Sequence, residues 1–341
     1  MTIAAPTDSA QSASWEGAAA AVAVVVSTHN RGALLDGLLG ALEAQDHRDT
    51  EVVVADNGSS DDTWQLLTAR CARTPMRLRA LRLPFHDGPG VPRNTCIAEA
   101  RAELIAFTDD DCLPTPHWLS ALTAAFDAGT AIVQGRTLPE PGGWGGPWGR
   151  TLTVTSPSGL YETANLAARR AAILEVGGFA GQRLLSGRAF GEDVVLGSAI
   201  ARTGGFRFAA DAVVHHRVMA GNYRDFLDER RRLAGFPMLV REVPELRQRA
   251  FLRLFLSRRT ASADLAVAAA TAVVVADLLT LSPWPSLIGL AMLPWVAALS
   301  QDAKARPGRG RASRAAQLGW ADVVGFGALL AGSIRARRLL L

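Results

Sequence analysis

Three consecutive acidic residues, Asp109 to Asp111, directly follow the apolar run Leu104–Phe107. Adjacent carboxylates repel one another, so a positive group is expected between them. Successive side chains of an extended segment point to opposite sides, which predicts that Asp109 and Asp111 face one pocket while Asp110 points elsewhere. Hard divalent cations such as Mg²⁺ or Mn²⁺ bind carboxylate oxygens and keep positions open for substrate phosphates. Directly after a strand, the pattern favours a metal site over a solvated acidic loop.

The elements that position these acids are predicted from short apolar runs. Val22–Ser27 and Val52–Ala55 are β-branched runs, typical of strands that are covered on both faces. Ala33–Gln45 places its leucines on one helical stripe, and Asp61–Arg73 is predicted as a second helix. Strands that alternate with helices predict a mainly parallel sheet, which binds its ligands at the carboxyl ends of its strands.

Each predicted strand ends in polar residues. Ser27–Arg31 ends the first strand, Asp56–Ser60 the second and Asp109–Asp111 the third. Because the carboxyl ends of parallel strands meet at the same edge of a sheet, these three segments are expected to form one site.

Five segments together resemble glycosyltransferase family 2, the inverting enzymes with the GT-A fold. In chain order they are VVVSTHNR, EVVVADNGSSDDT, GVPRNTCIAEARAELIAFTDDDC, TANLAARR and FGEDVVLG, within about residues 20–220. The resemblance implies the GT-A nucleotide-diphospho-sugar transferase fold, an α/β domain with a mainly parallel twisted sheet and helices on both faces. It also implies sugar transfer from a nucleotide diphosphate donor, inversion at the anomeric carbon, and Mg²⁺ or Mn²⁺ on the diphosphate.

The resemblance assigns donor-binding roles to residues at the strand ends. Asp56 resembles the carboxylate that hydrogen-bonds the nucleoside, and it equally suits an Asx turn. Arg93 resembles the donor-site arginine, with a plain helix N-terminal position after Pro92 as the alternative. Asp109 and Asp111 match the outer positions of the D-x-D metal motif, and Asp110 its variable middle. The residues expected to contact the nucleotide sugar are Thr28, Asn30, Arg31, Asp56, Arg93, Asp109 and Asp110.

A second acidic pair, Glu192-Asp193, supplies the candidate catalytic residues. Displacement at an anomeric carbon requires a carboxylate that removes the proton of the acceptor hydroxyl. Asp193 resembles the family's base, and favourable first-turn charges on a helix are the alternative for both acids. His216 resembles a metal or diphosphate ligand and aligns better than His215, so the implied metal ligands are Asp109, Asp111 and His216.

Composition limits the possible partners and compartment. The chain has 341 residues, enough for one sizeable catalytic domain and an appendage. Its net charge is +4, and no nucleic-acid-binding motif accompanies the basic residues, so no nucleic acid partner is expected. Cys71, Cys96 and Cys112 have neither disulfide nor metal spacing, which favours a reducing compartment.

The C-terminal part is hydrophobic and arginine-rich. Arg241–Arg259 is predicted as a basic helix on an anionic membrane surface. Leu265–Leu281 and Ser286–Leu299, joined by a Pro-Trp-Pro segment, are predicted as a transmembrane hairpin, because basic residues flank both ends. A soluble helical hairpin is the alternative, since each run is shorter than the ~20 residues that span a bilayer. Leu318–Ile334 is predicted as a membrane-surface or re-entrant segment.

Together these patterns predict a glycosyltransferase at the cytoplasmic face of the cell membrane, acting on a lipid-linked or glycan acceptor in envelope assembly. A membrane-anchored, non-catalytic GT-A scaffold and a sugar nucleotidyltransferase are the alternatives. The predicted parts are a disordered lead (1–20), a nucleotide-sugar-binding half (21–130), an acceptor half (131–235), a basic linker helix (236–260), a transmembrane hairpin (261–300), a basic loop (301–316) and a third apolar segment (317–341).

Overall fold

The computed structural model describes residues 1–16, 19–84, 88–180, 190–280, 292–306 and 310–341. These residues divide into two compact units, Met1–Gly143 with Thr151–Val218, and Trp144–Arg150 with Met219–Leu341. The first unit carries the sheet. The predicted nucleotide-sugar-binding half (21–130) lies in this unit, whereas the predicted acceptor half (131–235) is divided, with residues 144–150 and 219–235 in the second unit.

The described strands form one nine-stranded sheet of order β1-β4-β3-β2-β5-β8-β7-β9-β6. The central strands β4, β3, β2 and β5 are parallel, whereas β8 is antiparallel to both β5 and β7. The bounds are β1 (Asp8–Gln11), β2 (Val22–Thr28), β3 (Thr50–Asp56), β4 (Arg77–Arg82), β5 (Leu104–Phe107), β6 (Cys112–Pro114), β7 (Thr130–Pro139), β8 (Leu166–Arg169) and β9 (Gly205–His216).

Helices cover both faces of this sheet, as predicted. Alternate residues of β2 enter opposite cores: Val24 packs with the leucines of α1, and Val25 packs with Ile97 of α3. Burial on both sides explains the unbroken β-branched run of this strand. The helices of the first unit are α1 (Gly32–Glu43), α2 (Thr63–Cys71), α3 (Gly90–Glu99), α4 (Trp118–Ala124), α5 (Arg170–Glu175) and α6 (Glu192–Thr203).

The prediction of a disordered lead over residues 1–20 is wrong for the described part. β1 pairs antiparallel with β4, and the 3₁₀ turn Ala13–Glu16 follows it. The Trp15 ring is buried, with the guanidinium of Arg101 4.8 Å from its centroid. A polar segment with little hydrophobic pattern is ordered here because an exposed strand edge offers it backbone partners.

The second unit is helical in its described part. Its helices are α7 (Tyr223–Arg232), α8 (Phe236–Glu242), α9 (Leu246–Arg249), α10 (Arg258–Thr280), α11 (Leu293–Ala305) and α12 (Arg311–Ala336). The predicted continuous basic helix at 236–260 is wrong. Pro244 follows α8, where it has no N–H to continue the helix. Leu252 and Arg253 then turn the chain with φ of 53° and 58°, outside the helical region.

One helix of the described residues, Arg311–Ala336, is long and apolar enough to cross a membrane, and 44% of its most apolar stretch is buried within the protein. This helix contains the predicted third apolar segment, Leu318–Ile334. The Pro283-Trp284-Pro285 segment lies outside the described residues. The transmembrane hairpin therefore remains a prediction.

Candidate active site

The predicted polar strand ends meet at one edge of the sheet. Thr28 at the end of β2 is the register partner of Asp56 at the end of β3. On the other side of β2, Val25 pairs with Phe107, which places the acidic run after β5 at the same edge. Parallel strands with these registers bring residues more than 25 positions apart into one site.

The acidic run does not alternate as predicted. The chain turns after β5, and the Cys112 amide donates to the Asp109 carbonyl at 3.1 Å. Asp110 is therefore buried and not directed away, and Asp109 and Asp111 do not share a partner. The alternation rule fails because it applies only to extended backbone.

A positive group does lie between two of the acids. Arg31 Nη1 donates to Asp110 Oδ1 at 2.8 Å and to Asp111 Oδ2 at 3.1 Å. The Thr28 hydroxyl donates to the second oxygen of Asp110 at 2.8 Å. Burial raises the pKa of Asp110, although Arg31 and Thr28 oppose the rise. Arg31 thus relieves the repulsion between two of the three carboxylates.

Asp111 lies beside a histidine from the far end of the sheet. The pairing of β6 with β9 places Cys112 opposite His216, and His216 Nε2 is 3.5 Å from Asp111 Oδ1. That carboxylate oxygen is buried and accepts no hydrogen bond from the described residues. The adjacent residue His215 contacts the Pro139 carbonyl at 3.2 Å instead, because neighbouring strand residues face opposite sides.

These residues fit a divalent cation. Asp111, Cys112 and His216 offer ligand atoms within 4.8 Å of one another. Burial raises the pKa of the Cys112 thiol well above its usual range, so the sulfur stays protonated and is a poor ligand. The fitting ligand atoms are then a buried carboxylate oxygen of Asp111 and an imidazole nitrogen of His216.

A buried arginine joins the third acid to the predicted base. Arg93, in the first turn of α3, donates to Asp109 Oδ1 at 2.7 Å and to Asp193 Oδ1 at 3.4 Å. Its guanidinium lies 5.5 Å from the centroid of the Phe179 ring. Arg93 is therefore both a first-turn helix residue and an ion-pair partner of two predicted site residues.

Asp193 has an unusual environment for a carboxylate. Burial raises its pKa to about 6, with Glu192 and Asp109 adding to the rise and Arg93 opposing it. The Thr163 hydroxyl donates to Asp193 Oδ2 at 2.9 Å, and the Thr163 amide donates at 3.2 Å. Glu192 and Asp193 also occupy the first turn of α6, so the helix-charge interpretation holds alongside the site.

Sequence reasoning missed Thr163. The residue begins the TANLAARR segment, which counted toward the family resemblance without a role for its first residue. The available signal was a hydroxyl residue in the short turn that precedes the apolar strand β8.

Asp56 and Asn30, two more residues predicted to contact the nucleotide sugar, accept backbone hydrogen bonds in the loops after β2 and β3. Asp56 Oδ1 accepts the amide of Ser59, three residues on, at 3.0 Å, while its buried Oδ2 accepts no hydrogen bond from the described residues. Asn30 has φ of 53°, and its Oδ1 accepts the Ser60 amide at 2.8 Å. Asn30 therefore joins the two loops, and the nearest charged group to Asp56 Oδ2 among the described ion pairs is Arg82, whose Nε is 3.9 Å away.

Residues 23–185 match the model of glycosyl transferase family 2. The chain carries a glycosyltransferase family 2 domain. A relative from Campylobacter jejuni, GalNAc(5)-diNAcBac-PP-undecaprenol beta-1,3-glucosyltransferase, is 32% identical over 123 residues, which are 36% of this chain and 40% of that protein. An uncharacterized glycosyltransferase from Nostoc is 27% identical over 33% of this chain and 34% of its own length. The chain thus spans less than half the length of these curated relatives.

Solved structures share the fold of this chain. A mannosyltransferase from Pyrobaculum calidifontis, in complex with GDP-Man and Mn²⁺, superposes with a TM-score of 0.53 at 19% identity, covering 95% of this chain and 90% of that one. Staphylococcus aureus TarS 1-349, in complex with UDP-GlcNAc, gives 0.51 at 18% identity, covering 93% and 92%. The GT-A fold predicted from the sequence is confirmed.

Proposed function

We propose that this chain is an inverting glycosyltransferase that moves a sugar from a nucleotide diphosphate to an acceptor hydroxyl. The observation that carries the proposal is the Arg93 bridge, which links Asp109 of the acidic run to Asp193. Arg93 and Asp109 belong to the residues that match family 2, and Asp193, which follows them in the chain, is held beside them by this bridge.

The donor is held, in this proposal, by the loops after β2, β3 and β5. Asp56 Oδ2 is buried without a hydrogen-bond donor among the described residues, so it suits a hydroxyl or N–H of the nucleoside. Arg31 is about half-exposed at its side chain and lies beside Asp110 and Asp111, where it can reach a phosphate oxygen.

Asp111 and His216 would hold Mg²⁺ or Mn²⁺ on the donor diphosphate. When bound, the cation would offset the negative charge that develops on the leaving diphosphate. The two residues supply the ligand atoms, and Arg31 fixes the second oxygen of Asp111.

Asp193 is proposed to take the proton of the acceptor hydroxyl. As the acceptor oxygen forms its bond to the anomeric carbon, the bond to the diphosphate oxygen breaks on the opposite side, and the proton moves to the Asp193 carboxylate. A pKa of about 6 leaves Asp193 ionised at neutral pH yet more basic than an ordinary aspartate. Thr163 holds one carboxylate oxygen, which orients the other.

The acceptor is proposed to be a lipid-linked or glycan hydroxyl at the cytoplasmic face of the membrane. The name of the Campylobacter relative specifies a polyprenol-linked acceptor for that protein. The helix Arg311–Ala336 of this chain is apolar enough to associate with a membrane, which supports an acceptor located there.

A panel of nucleotide sugars tests the proposed donor class. We expect one or a few of them, with Mn²⁺, to give saturation-transfer NMR signals and thermal protection, and to release nucleoside diphosphate when an acceptor extract is added. The transferred sugar should show the inverted anomeric configuration. Free sugars lacking the nucleotide are the control. Donor binding without release of nucleoside diphosphate by any acceptor would favour the non-catalytic scaffold, and release of pyrophosphate from a nucleoside triphosphate would favour a nucleotidyltransferase.

Thr163→Val is expected to shift the acidic limb of the pH profile of kcat/KM upward. The hydroxyl stabilises the ionised form of Asp193, so its removal raises the pKa of that carboxyl further. A hydrogen bond to a charged group contributes about 1.5–3 kcal/mol, which corresponds to roughly 1–2 pH units. Thr123→Val is the matched control, because the Thr123 hydroxyl donates only to carbonyls of its own helix region. An unshifted limb in Thr163→Val would remove this residue from the site.

A further inference from the structure

The long helices of the second unit bury several charged side chains. Asp264 and Asp322 are buried, at 4% and 9% exposure. Asp322, the one acidic residue of α12, accepts a hydrogen bond from Arg259 Nη2 at 2.8 Å and another from Trp295 Nε1 at 2.7 Å. Arg259 Nε also donates to Asp302 at 3.1 Å. Charged side chains are rarely buried unless they are paired, and Asp322 is paired with Arg259.

The outward face of α12 is apolar instead. Trp320, Val323, Leu330 and Ile334 are all exposed, with Trp320 at 59% and Ile334 at 71%. Their spacing of three, seven and four residues places them on one side of the helix. The other exposed positions between residues 312 and 334 are alanine, serine or glycine, so no charge interrupts this face.

An arginine cluster adjoins the C-terminal end of this face. The Leu256 amide donates to the Leu341 carbonyl and the Leu341 amide to the Leu254 carbonyl, both at 2.7 Å, so two chain segments are held together. Leu252, in the first of these segments, is 73% exposed. We call these segments, residues 249–258 and 335–341, the arginine end. Its exposed basic residues are Arg249, Arg253, Arg258, Arg335, Arg337 and Arg338.

We propose that the outward face of α12 and the arginine end form one docking surface for an anionic phospholipid bilayer. The apolar stripe enters the acyl-chain boundary while the helix lies along the surface, and the arginines bind lipid phosphates. Neither segment of the arginine end contains an acidic residue, so the charge is complementary to an anionic headgroup layer. Trp320 suits the headgroup region because its ring is apolar and its N–H is polar. The inference does not rest on the proposed sugar transfer.

Vesicle flotation of the full-length protein tests this surface. We expect wild type to float with phosphatidylcholine vesicles that contain phosphatidylglycerol, and less with phosphatidylcholine alone. Leu330→Gln with Ile334→Gln should weaken binding to both vesicle types, by about tenfold for each side chain withdrawn from the apolar layer. Arg337→Gln with Arg338→Gln should weaken binding only to the anionic vesicles, by about fivefold per arginine, and added salt should reduce that difference.

Leu174→Gln, at an exposed leucine of the first unit, is the matched control and should bind like wild type. Thermal unfolding of every variant checks that the fold is kept, and the substituted side chains are all exposed. Binding that is unchanged in both double variants would overturn the proposal. So would a wild-type dimer, seen by light scattering, that becomes monomeric in Leu330→Gln with Ile334→Gln and never binds vesicles, because a second copy would then cover the face.

Discussion

Asp193→Asn is expected to lower turnover by about 10²–10⁴ while nearly preserving donor affinity, since this is the usual contribution of a general base. The asparagine keeps the shape of the side chain and an oxygen that can accept the Thr163 hydroxyl. It cannot take a proton from the acceptor. Arg93 keeps its 2.7 Å ion pair with Asp109, so the site should stay folded. Single-turnover kinetics and donor titration on the same preparation separate the two effects.

The pH profile gives a second measure of the same residue. The base must be ionised, and its pKa is raised to about 6, so kcat/KM of wild type should fall as the pH drops below about 6 and level off above it. The limb lies about two units above that of an ordinary aspartate because burial disfavours the charged form. Glu192→Gln is the matched variant on the same helix turn. Full turnover in Asp193→Asn, with loss in Glu192→Gln, would move the base to Glu192.

The sheet and its active edge were predictable because their signals are local. β2 and β3 are runs of β-branched residues that alternate between two buried cores, and each ends in polar residues. A short unbroken apolar run can be recognised without knowledge of its distant partners. The same holds for the stripe of leucines on α1, which begins and ends within two residues of the predicted helix.

The contacts within the site were less predictable because they join distant residues. β6 has three residues, too few for a pattern, yet its pairing with β9 brings Asp111 to His216 across 105 positions of sequence. The turn after β5 likewise contains one backbone hydrogen bond that the sequence does not reveal. Because of this turn, Asp109 contacts Arg93 and does not share a pocket with Asp111. Such side-chain contacts are set by tertiary packing, so no repeating pattern in the sequence indicates them.

Asp111→Asn is expected to abolish the metal-dependent part of nucleoside diphosphate binding, a loss of at least about 100-fold if the cation contributes several kcal/mol. The substitution removes the charge of a buried oxygen that has no hydrogen-bond donor among the described residues and faces His216 Nε2 at 3.5 Å. Calorimetry with UDP and GDP, in Mn²⁺ and in EDTA, measures the effect. Asp110→Asn is the neighbouring control, because Asp110 binds Thr28 and Arg31 and should keep the response to EDTA.

The histidine pair supplies an independent check of the same site. His216→Gln should weaken the dependence on Mn²⁺, whereas His215→Gln should not, since His215 contacts the Pro139 carbonyl on the other side of the strand. Wild-type binding of UDP and GDP that is identical in Mn²⁺ and EDTA would mean that Asp111 and His216 hold no cation for the donor. In that case the 3.5 Å contact between His216 Nε2 and the buried carboxylate oxygen of Asp111 would be structural.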